Sequence, residues 1–315
     1  MNAHLIYNPV AGPWDARVPL DRIRASLKSH GWRVQLHVTE RAGDATGFAR
    51  EAARAGDDLV LVAGGDGTVN EALNGLVGSE TALGVLPVGT GNVLARQLGM
   101  PVHPLRQQLH FNEIVSGLVD GTVRDVDVGE ANGRYFLCWA GIGLDAQVTV
   151  EMEPRPRHAK RLGMLPYVVA AVLVARDFKG FRTWVSLDGR VVRGRSLLVL
   201  VSNIQQYCGS FNVAPDGRID DGLLDVFVFR GLGFKYVVHH MMTLLSRRHL
   251  QDPRIVHRQV RHVEVRTETK MPVQMDGDPI SGTPVSIRVI PRGLHLLVPP
   301  TAPDALFSPG AYDGP

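Results

Sequence analysis

Three short stretches set glycine beside a polar side chain just where an apolar run ends. Gly64-Gly65-Asp66-Gly67-Thr68 follows the apolar Leu59 to Ala63 and opens a helical pattern. Glycines in such a turn let the backbone take positive φ and approach a ligand, and the free N–H groups at the start of the helix point at an anion. Thr68 adds a hydroxyl. Asp66, inside a turn of this kind, would repel phosphate unless a cation lay between them, so it argues for Mg²⁺. Asn70 and Glu71 are expected on the first turn of the helix, facing the same mouth. Pro87-Val88-Gly89-Thr90-Gly91-Asn92 repeats the strand, turn and helix, and Asn8-Pro9-Val10-Ala11-Gly12 follows the first strand. Adjacent parallel strands would carry all three turns to one carboxyl edge. One such turn alone can be a tight strand-to-helix connection and nothing more; three at one edge point to a nucleotide phosphate site.

The elements that must hold these turns are legible in the spacing of apolar residues. His4–Tyr7, Trp32–Val38, Leu59–Ala63 and Leu83–Leu86 read as strands, and Leu20–His30, Ala45–Ala55 and Thr68–Val77 as the helices between them. That alternation is the signature of a parallel α/β sheet, with Leu59–Ala63 apolar throughout and therefore covered on both faces. From about residue 121 the texture turns to strands without helices between them: Tyr135–Ala140, Thr183–Leu187, Ser196–Val201, Leu224–Phe229, Gln259–Arg266 and Val285–Ile290. Helical stretches interrupt at Lys160–Arg176 and Phe234–Arg247. We therefore expect an α/β nucleotide domain over 1–120, a largely antiparallel β domain over 121–298, and a disordered tail over 299–315, rich in Pro, Ala, Asp and Gly.

With 44% hydrophobic and 21% charged residues in 315, the chain is of ordinary globular composition, long enough for two cores. Cys138 and Cys208 lie far apart without metal-binding spacing, and His239-His240 lack the spacing and carboxylate company of a zinc site. The amino terminus shows no basic segment leading into an apolar run, and the apolar stretch Leu162–Ala175 is shorter than the roughly 18 to 20 residues that span a bilayer. The expectation is a cytoplasmic enzyme. Basic residues are scattered rather than interleaved with aromatics, which speaks against nucleic acid. Arg155, Arg157, Lys160 and Arg161, just before that apolar stretch, suit either an anionic lipid surface or a loop leading to a buried helix. The apolar residues of Phe234–Arg247 are explained by core packing.

Asn8-Pro9, Thr39, the Gly64–Glu71 run, Gly89-Thr90-Gly91-Asn92, Asp221-Gly222-Leu223-Leu224-Asp225-Val226 and Asp276-Gly277-Asp278, in that order, resemble the diacylglycerol-kinase-like lipid kinases over roughly residues 3 to 297. The resemblance implies an amino-terminal three-layer α/β domain, like those of phosphofructokinases and NAD kinases, and a carboxy-terminal β-sandwich. It implies that ATP is held by Asn8, Pro9, Gly12, Thr39, Gly64, Gly65, Asp66, Gly67, Thr68, Asn70, Glu71, Gly89, Thr90, Gly91 and Asn92. Mg²⁺ would be bound by the Asp221 carboxylate and the carbonyls of Arg218 and Leu223, with Asp276 in the carboxylate network that reaches it through water. Asp278, together with Asp66, would be catalytic, Asp278 as the general base on the acceptor hydroxyl. The acceptor implied is a lipid, diacylglycerol or sphingoid-like, met by peripheral association at the inner membrane face; the family includes dimers.

Two positions depart from the family pattern. Asp278 stands where Glu is usual, which withdraws the carboxylate by about 1.5 Å, and a misplacement near 1 Å can cost on the order of 10²-fold in rate. Val93 stands where many bacterial members carry Asp. Two other readings stay open at this point: a soluble-substrate kinase of the NAD kinase type, and a nucleotide- or lipid-binding regulator without catalysis. For Asp220-Asp221-Gly222 and for Asp276-Asp278 the plain alternative is a turn.

Overall fold

The computed structural model describes residues 1–12, 17–102, 111–152, 165–207 and 211–309; the basic stretch from Arg155 to Arg161, and Cys208, lie outside them. The described residues divide into two compact units, one formed within 1–126 with 292–307, the other within 127–291 with 308 and 309.

The first unit is built on strands β1 (Asn2–Tyr7), β2 (Arg33–Val38), β3 (Leu59–Gly64) and β4 (Ala82–Pro87), all parallel and in the order β2-β1-β3-β4. Helices α1 (Arg17–Ser29), α2 (Asp44–Ala55), α3 (Asp66–Leu76), α4 (Val93–Gln97) and α5 (Phe111–Val119) connect and cover them. β3 and β4 are buried along their whole length, as strands covered on both faces must be. Leu5, Leu59, Leu61 and Leu86 pack with Leu20, Ile23 and Leu27 of α1 and with Ile114 and Leu118 of α5. In this order the chain steps outward from β1 in opposite directions, to β2 on one side and β3 on the other. The crevice beyond the carboxyl ends of β1 and β3 is therefore the switch point at which such sheets take ligands.

The second unit is a β-sandwich. Its strands are β5 (Thr122–Ala131, which enters from the first unit), β6 (Arg134–Phe136), β7 (Trp139–Gly143), β8 (Phe181–Leu187), β9 (Arg190–Ser202), β10 (Gln206–Tyr207), β11 (Phe211–Asn212), β12 (Leu224–Arg230), β13 (Ile255–Val260), β14 (His262–Thr267), β15 (Pro272–Met275), β16 (Asp278–Gly282) and β17 (Val285–Val298). Among the described residues, helices α6 (Leu144–Met152), α7 (Leu165–Asp177) and α8 (Phe234–Leu245) accompany them. β9 pairs antiparallel with β7, β8 and β12, and β8 continues through β14 to β17. Alternate residues Val185, Val199, Val201, Val226, Val228, Val263, Val265 and Ile287 meet in its core.

Several expectations are corrected. The single strand expected over Tyr135–Ala140 is two, because the main chain at Leu137–Trp139 turns its N–H groups to the Asp276 carboxylate. Gln259–Arg266 likewise divides at Arg261, whose N–H and that of His262 are taken by Asp188. The tail expected to be disordered is placed as far as Pro309: it makes a short 3₁₀ turn at Asp304–Leu306, and Leu306 and Phe307 are buried, with Arg124 stacked over the Phe307 ring. Pro and Ala in a segment do not prevent ordering when its large apolar residues have a core to enter. The residues from Arg292 to Phe307 belong with the first unit, where Leu296 pairs parallel with Leu83 of β4.

Candidate active site

In the first unit the three turns converge. Asn8, directly after β1, donates from Nδ2 to Thr68 Oγ1 at 2.9 Å, and its own Oδ1 accepts the Val10 N–H at 3.0 Å. Thr39, buried at the end of β2, donates its N–H to the Tyr7 carbonyl at 2.9 Å. Asp66 accepts the N–H of Val93 at 2.7 Å, so the acid of the second turn caps the helix that the third turn opens. Asn92 Oδ1 takes the Gly89 N–H at 2.9 Å while its Nδ2 donates to the Gly89 carbonyl at 2.8 Å, closing the third turn on itself.

The positive φ expected of the glycines is found at Gly12 but not at the others. Among the turn residues only Gly12 (φ 67°) and Asn92 (φ 50°) take positive φ. What Gly64, Gly89 and Gly91 supply is room. A Cβ on Gly89 would stand 2.5 Å from Gly65 Cα, one on Gly64 2.6 Å from Thr68 Cβ, and one on Gly91 2.4 Å from Asp66 Oδ2. Gly12 answers both needs, since a Cβ there would meet the Val88 carbonyl oxygen at 2.0 Å. The turns are close-packed backbone against backbone, which leaves the half-buried Gly65, Gly67, Thr90 and Gly91 at the mouth.

Asn70 and Glu71 do not sit on the first helical turn. Because α3 begins at Asp66, they fall on its second turn. Asn70 is buried and accepts from Asn74 Nδ2, and Glu71 Oε2 takes the Gly43 N–H at 2.9 Å, tying α3 to the start of α2.

In the second unit the acids gather around one loop. Asp127, fully buried on β5 between Val126 and Val128, accepts the Gly222 N–H at 2.6 Å. Asp225, on β12, meets His257 Nε2 at 2.6 Å, and Asp220 accepts the Ser308 N–H at 2.8 Å. Asp221 lies among them. Burial pushes its carboxyl up to about 6; the Leu223 N–H pulls it the other way, and the charges of Asp225, Asp127 and Asp220 add to the rise. A cation would relieve that cost, and carboxylate with main-chain carbonyl oxygen is the donor set that Mg²⁺ takes. The Arg218–Leu223 loop thus fits the ion the sequence implies. Asp127 and Asp225 were not singled out from the sequence; the available sign was a carboxylate inside an apolar strand run, Val126-Asp127-Val128, where burial without a partner is costly.

Asp276 and Gly277 form the two-residue turn between β15 and β16, both with positive φ (48° and 90°), so Met275 pairs directly with Asp278. The Asp276 carboxylate accepts three main-chain N–H groups, Leu137 at 2.8 Å and Cys138 and Trp139 at 2.9 Å each. Gln274 Oε1 accepts the Gly277 N–H at 2.8 Å and its Nε2 donates to Asp145. Asp278 opens the return strand, about one third exposed, with Arg134 Nη2 3.7 Å from its Oδ2. His239 and His240, expected to lack carboxylate company, have it in Asp252, with one candidate ligand atom from each of the three within 4.8 Å of the others.

Residues 2–131 match the family model of the diacylglycerol kinase catalytic domain, and residues 139–298 that of the YegS C-terminal NAD kinase beta sandwich-like domain. The chain is 29% identical over 299 residues to a diacylglycerol kinase of Bacillus subtilis (strain 168), covering 94% of this chain and 96% of that protein. It is 27% identical over 300 residues to a diacylglycerol kinase of Staphylococcus carnosus (strain TM300), covering 94% and 95%. A crystal structure of a diacylglycerol kinase from Bacillus anthracis str. Sterne superimposes with a TM-score of 0.75 at 29% identity, over 96% of this chain and 98% of that one. Two matched domains in sequence order and a shared fold over nearly the whole length carry the conclusion: the chain belongs to the diacylglycerol kinase family and is a lipid kinase.

Proposed function

We propose that this lipid kinase transfers the γ-phosphoryl group of ATP to the hydroxyl of diacylglycerol at a membrane surface, with Mg²⁺. The observation that carries the ATP half is the meeting of three glycine turns at the switch point of the first unit. Main-chain N–H groups at the head of α3 and the open glycines at the mouth suit an oligophosphate. In phosphoryl transfer the protein chiefly positions groups and neutralises charge, so the remaining needs are a base and a divalent ion. Asp278 accepts the proton of the acceptor hydroxyl, with Arg134 beside it, and the tight Asp276-Gly277 turn fixes where its strand begins. Asp276 acts as a positioning residue through the Leu137–Trp139 main chain as well as a member of the carboxylate network. Asp221 with the Arg218 and Leu223 carbonyls would hold Mg²⁺, which when bound offsets charge on the transferred phosphoryl group. Diacylglycerol is the acceptor favoured because the relatives matched along nearly the full length carry that name.

The test is transfer of radiolabelled γ-phosphate from ATP to diacylglycerol, a sphingoid base, a polyprenol and phosphatidylglycerol in mixed micelles with Mg²⁺, comparing wild type, Asp66→Ala and Asp278→Glu. Label in diacylglycerol that disappears in Asp66→Ala is the expected result. Label in another lipid alone would replace the acceptor, and ATP binding with no label in any lipid would assign the chain to nucleotide-binding regulation.

A further inference from the structure

Helix α8 turns its largest apolar side chains outward. Phe234, Val238, Met241, Met242 and Leu245 are 42%, 45%, 42%, 60% and 61% exposed, contrary to the expectation that core packing accounts for this stretch. Their spacing is that of a single helical face; at about 100° per residue the five fall within an arc of about 100°. The opposite face is the one held to the unit. His240 is buried with Nε2 2.8 Å from the Arg230 carbonyl, and His239 is paired with Asp252. The orientation is therefore set by polar contacts, and no turn of the helix would bury the stripe without breaking them. Leu232 and Leu250, in the chain flanking the helix, are exposed as well, as are Val172 and Leu173 of the neighbouring α7.

Charge selects the occupant. From Leu232 to Gln251 there is no Asp or Glu, while Lys235, Arg247 and Arg248 are all exposed. A second copy of the chain seated symmetrically on this face would bring like charges together without an acid from either helix to meet them. A bilayer carrying anionic headgroups meets both demands at once, taking the apolar stripe at the acyl boundary and the cations at the phosphate level. Flexible methionine side chains suit a fluid surface with no fixed shape. We propose that α8 is the membrane-docking element, lying in the interface of an anionic phospholipid bilayer. The inference rests on the lipid-kinase reading for its purpose, but the contact does not depend on turnover.

The experiment is flotation of the full chain, without nucleotide, on phosphatidylcholine vesicles with and without phosphatidylglycerol, beside turnover of a short-chain diacylglycerol dispersed as monomers. In the double variant Met242→Glu, Leu245→Glu, whose positions are mostly solvent-exposed, vesicle partition should fall roughly tenfold or more. Its melting temperature and short-chain turnover should stay close to wild type. Arg247→Ala with Arg248→Ala should lose roughly fivefold per charge on anionic vesicles and little on neutral ones. Wild type that does not float, or a double variant that floats equally well, overturns the proposal. So does a wild-type dimer that becomes monomeric in the double variant while flotation persists, since that assigns the stripe to a self-interface. Stripe-dependent flotation with no turnover of any lipid would leave this inference standing and remove the kinase reading instead.

Discussion

At the glycine turns of the first unit polar groups find one another within the chain: Asp66 meets the Val93 N–H, Asn92 and Gly89 exchange two hydrogen bonds, and Asn8 meets Thr68. Around the Arg218–Leu223 loop of the second unit the chain instead gathers like charges, and Asp221 bears the cost as a carboxyl raised to about 6. The first arrangement is satisfied by hydrogen bonds within the chain; in the second, neighbouring like charges add to the cost of burying Asp221. Under the proposed function this is what each would need: a phosphate cradle holds its shape so that N–H groups cost nothing to reorganise, whereas a metal site stays electrostatically unsatisfied until the ion binds.

The contrast predicts that the two units fail differently. Asp278→Ala should lower kcat by about 10²- to 10⁴-fold, the usual worth of a positioned base, while ATP affinity stays within a few-fold. Single-turnover transfer and equilibrium ATP binding measured on one preparation would separate the two. Unchanged kcat would move the base to another carboxylate. Gly12→Ala should do the reverse. Its Cβ would meet the Val88 carbonyl oxygen at 2.0 Å with φ at 67°, so the turn must move, at about 3 kcal/mol of stability and with ATP binding lost. Gly56→Ala, also at positive φ (72°) but with nothing within 4 Å of the added Cβ, should cost only about 1 kcal/mol and leave ATP binding intact. Urea unfolding of the two variants checks the difference.

What could be read from the sequence follows the same division. The parallel strands and the glycine turns are local patterns, an apolar run and the residues that end it, and the structure places them where the spacing predicts. The reason for the glycines was not legible, because Gly89 is required by Gly65 of another turn and Gly64 by Thr68. Glu71 falls one turn later than expected because α3 begins at Asp66, and its partner, the Gly43 N–H ahead of α2, is likewise beyond a local pattern. In the second unit Asp127 comes from β5, far earlier in the chain, so spacing could not join it to Asp221, whereas Asp225 stands in the same Asp221–Val226 run. At Asp276-Gly277 a turn is already the plain alternative in the sequence; the two short strands that make it a hairpin are not read there, although Asp-Gly is itself a hairpin signal. The outward face of α8 shows the limit of periodicity, which gives a helix its stripe but not the side on which the protein lies.

Asp276→Asn probes how far the hairpin positions Asp278. An amide in place of the carboxylate offers one acceptor oxygen to three N–H donors and sets its own N–H₂ against one of them. We expect a loss of about 2 kcal/mol, from hydrogen bonds to a charged acceptor, and a fall in kcat without change in ATP binding. A variant of unchanged stability would mean that the β6–β7 main chain is held by other contacts.

The smallest effect carries the sharpest test of the comparison. Asp221 has a carboxyl near 3.8 in its ordinary state and about 6 in the folded chain. Between those values the native state binds the extra proton, so stability falls as pH rises from about 4 to about 6, and the cost is fully present above that window. Asp221→Asn removes it. At about pH 7.5 the metal-free variant should therefore be more stable than wild type by about 1 kcal/mol, a figure kept well below the full linkage value because the group is partly open to solvent. Near pH 4 the advantage should vanish. Millimolar Mg²⁺ should raise the stability of wild type at pH 7.5 and leave Asp221→Asn nearly where it was, closing the gap from the other side. Urea unfolding at the two pH values, with and without Mg²⁺, gives all four quantities. If wild type is already the more stable protein at pH 7.5 without the ion, the acids are satisfied from within the chain, and the second unit is finished in the same manner as the first.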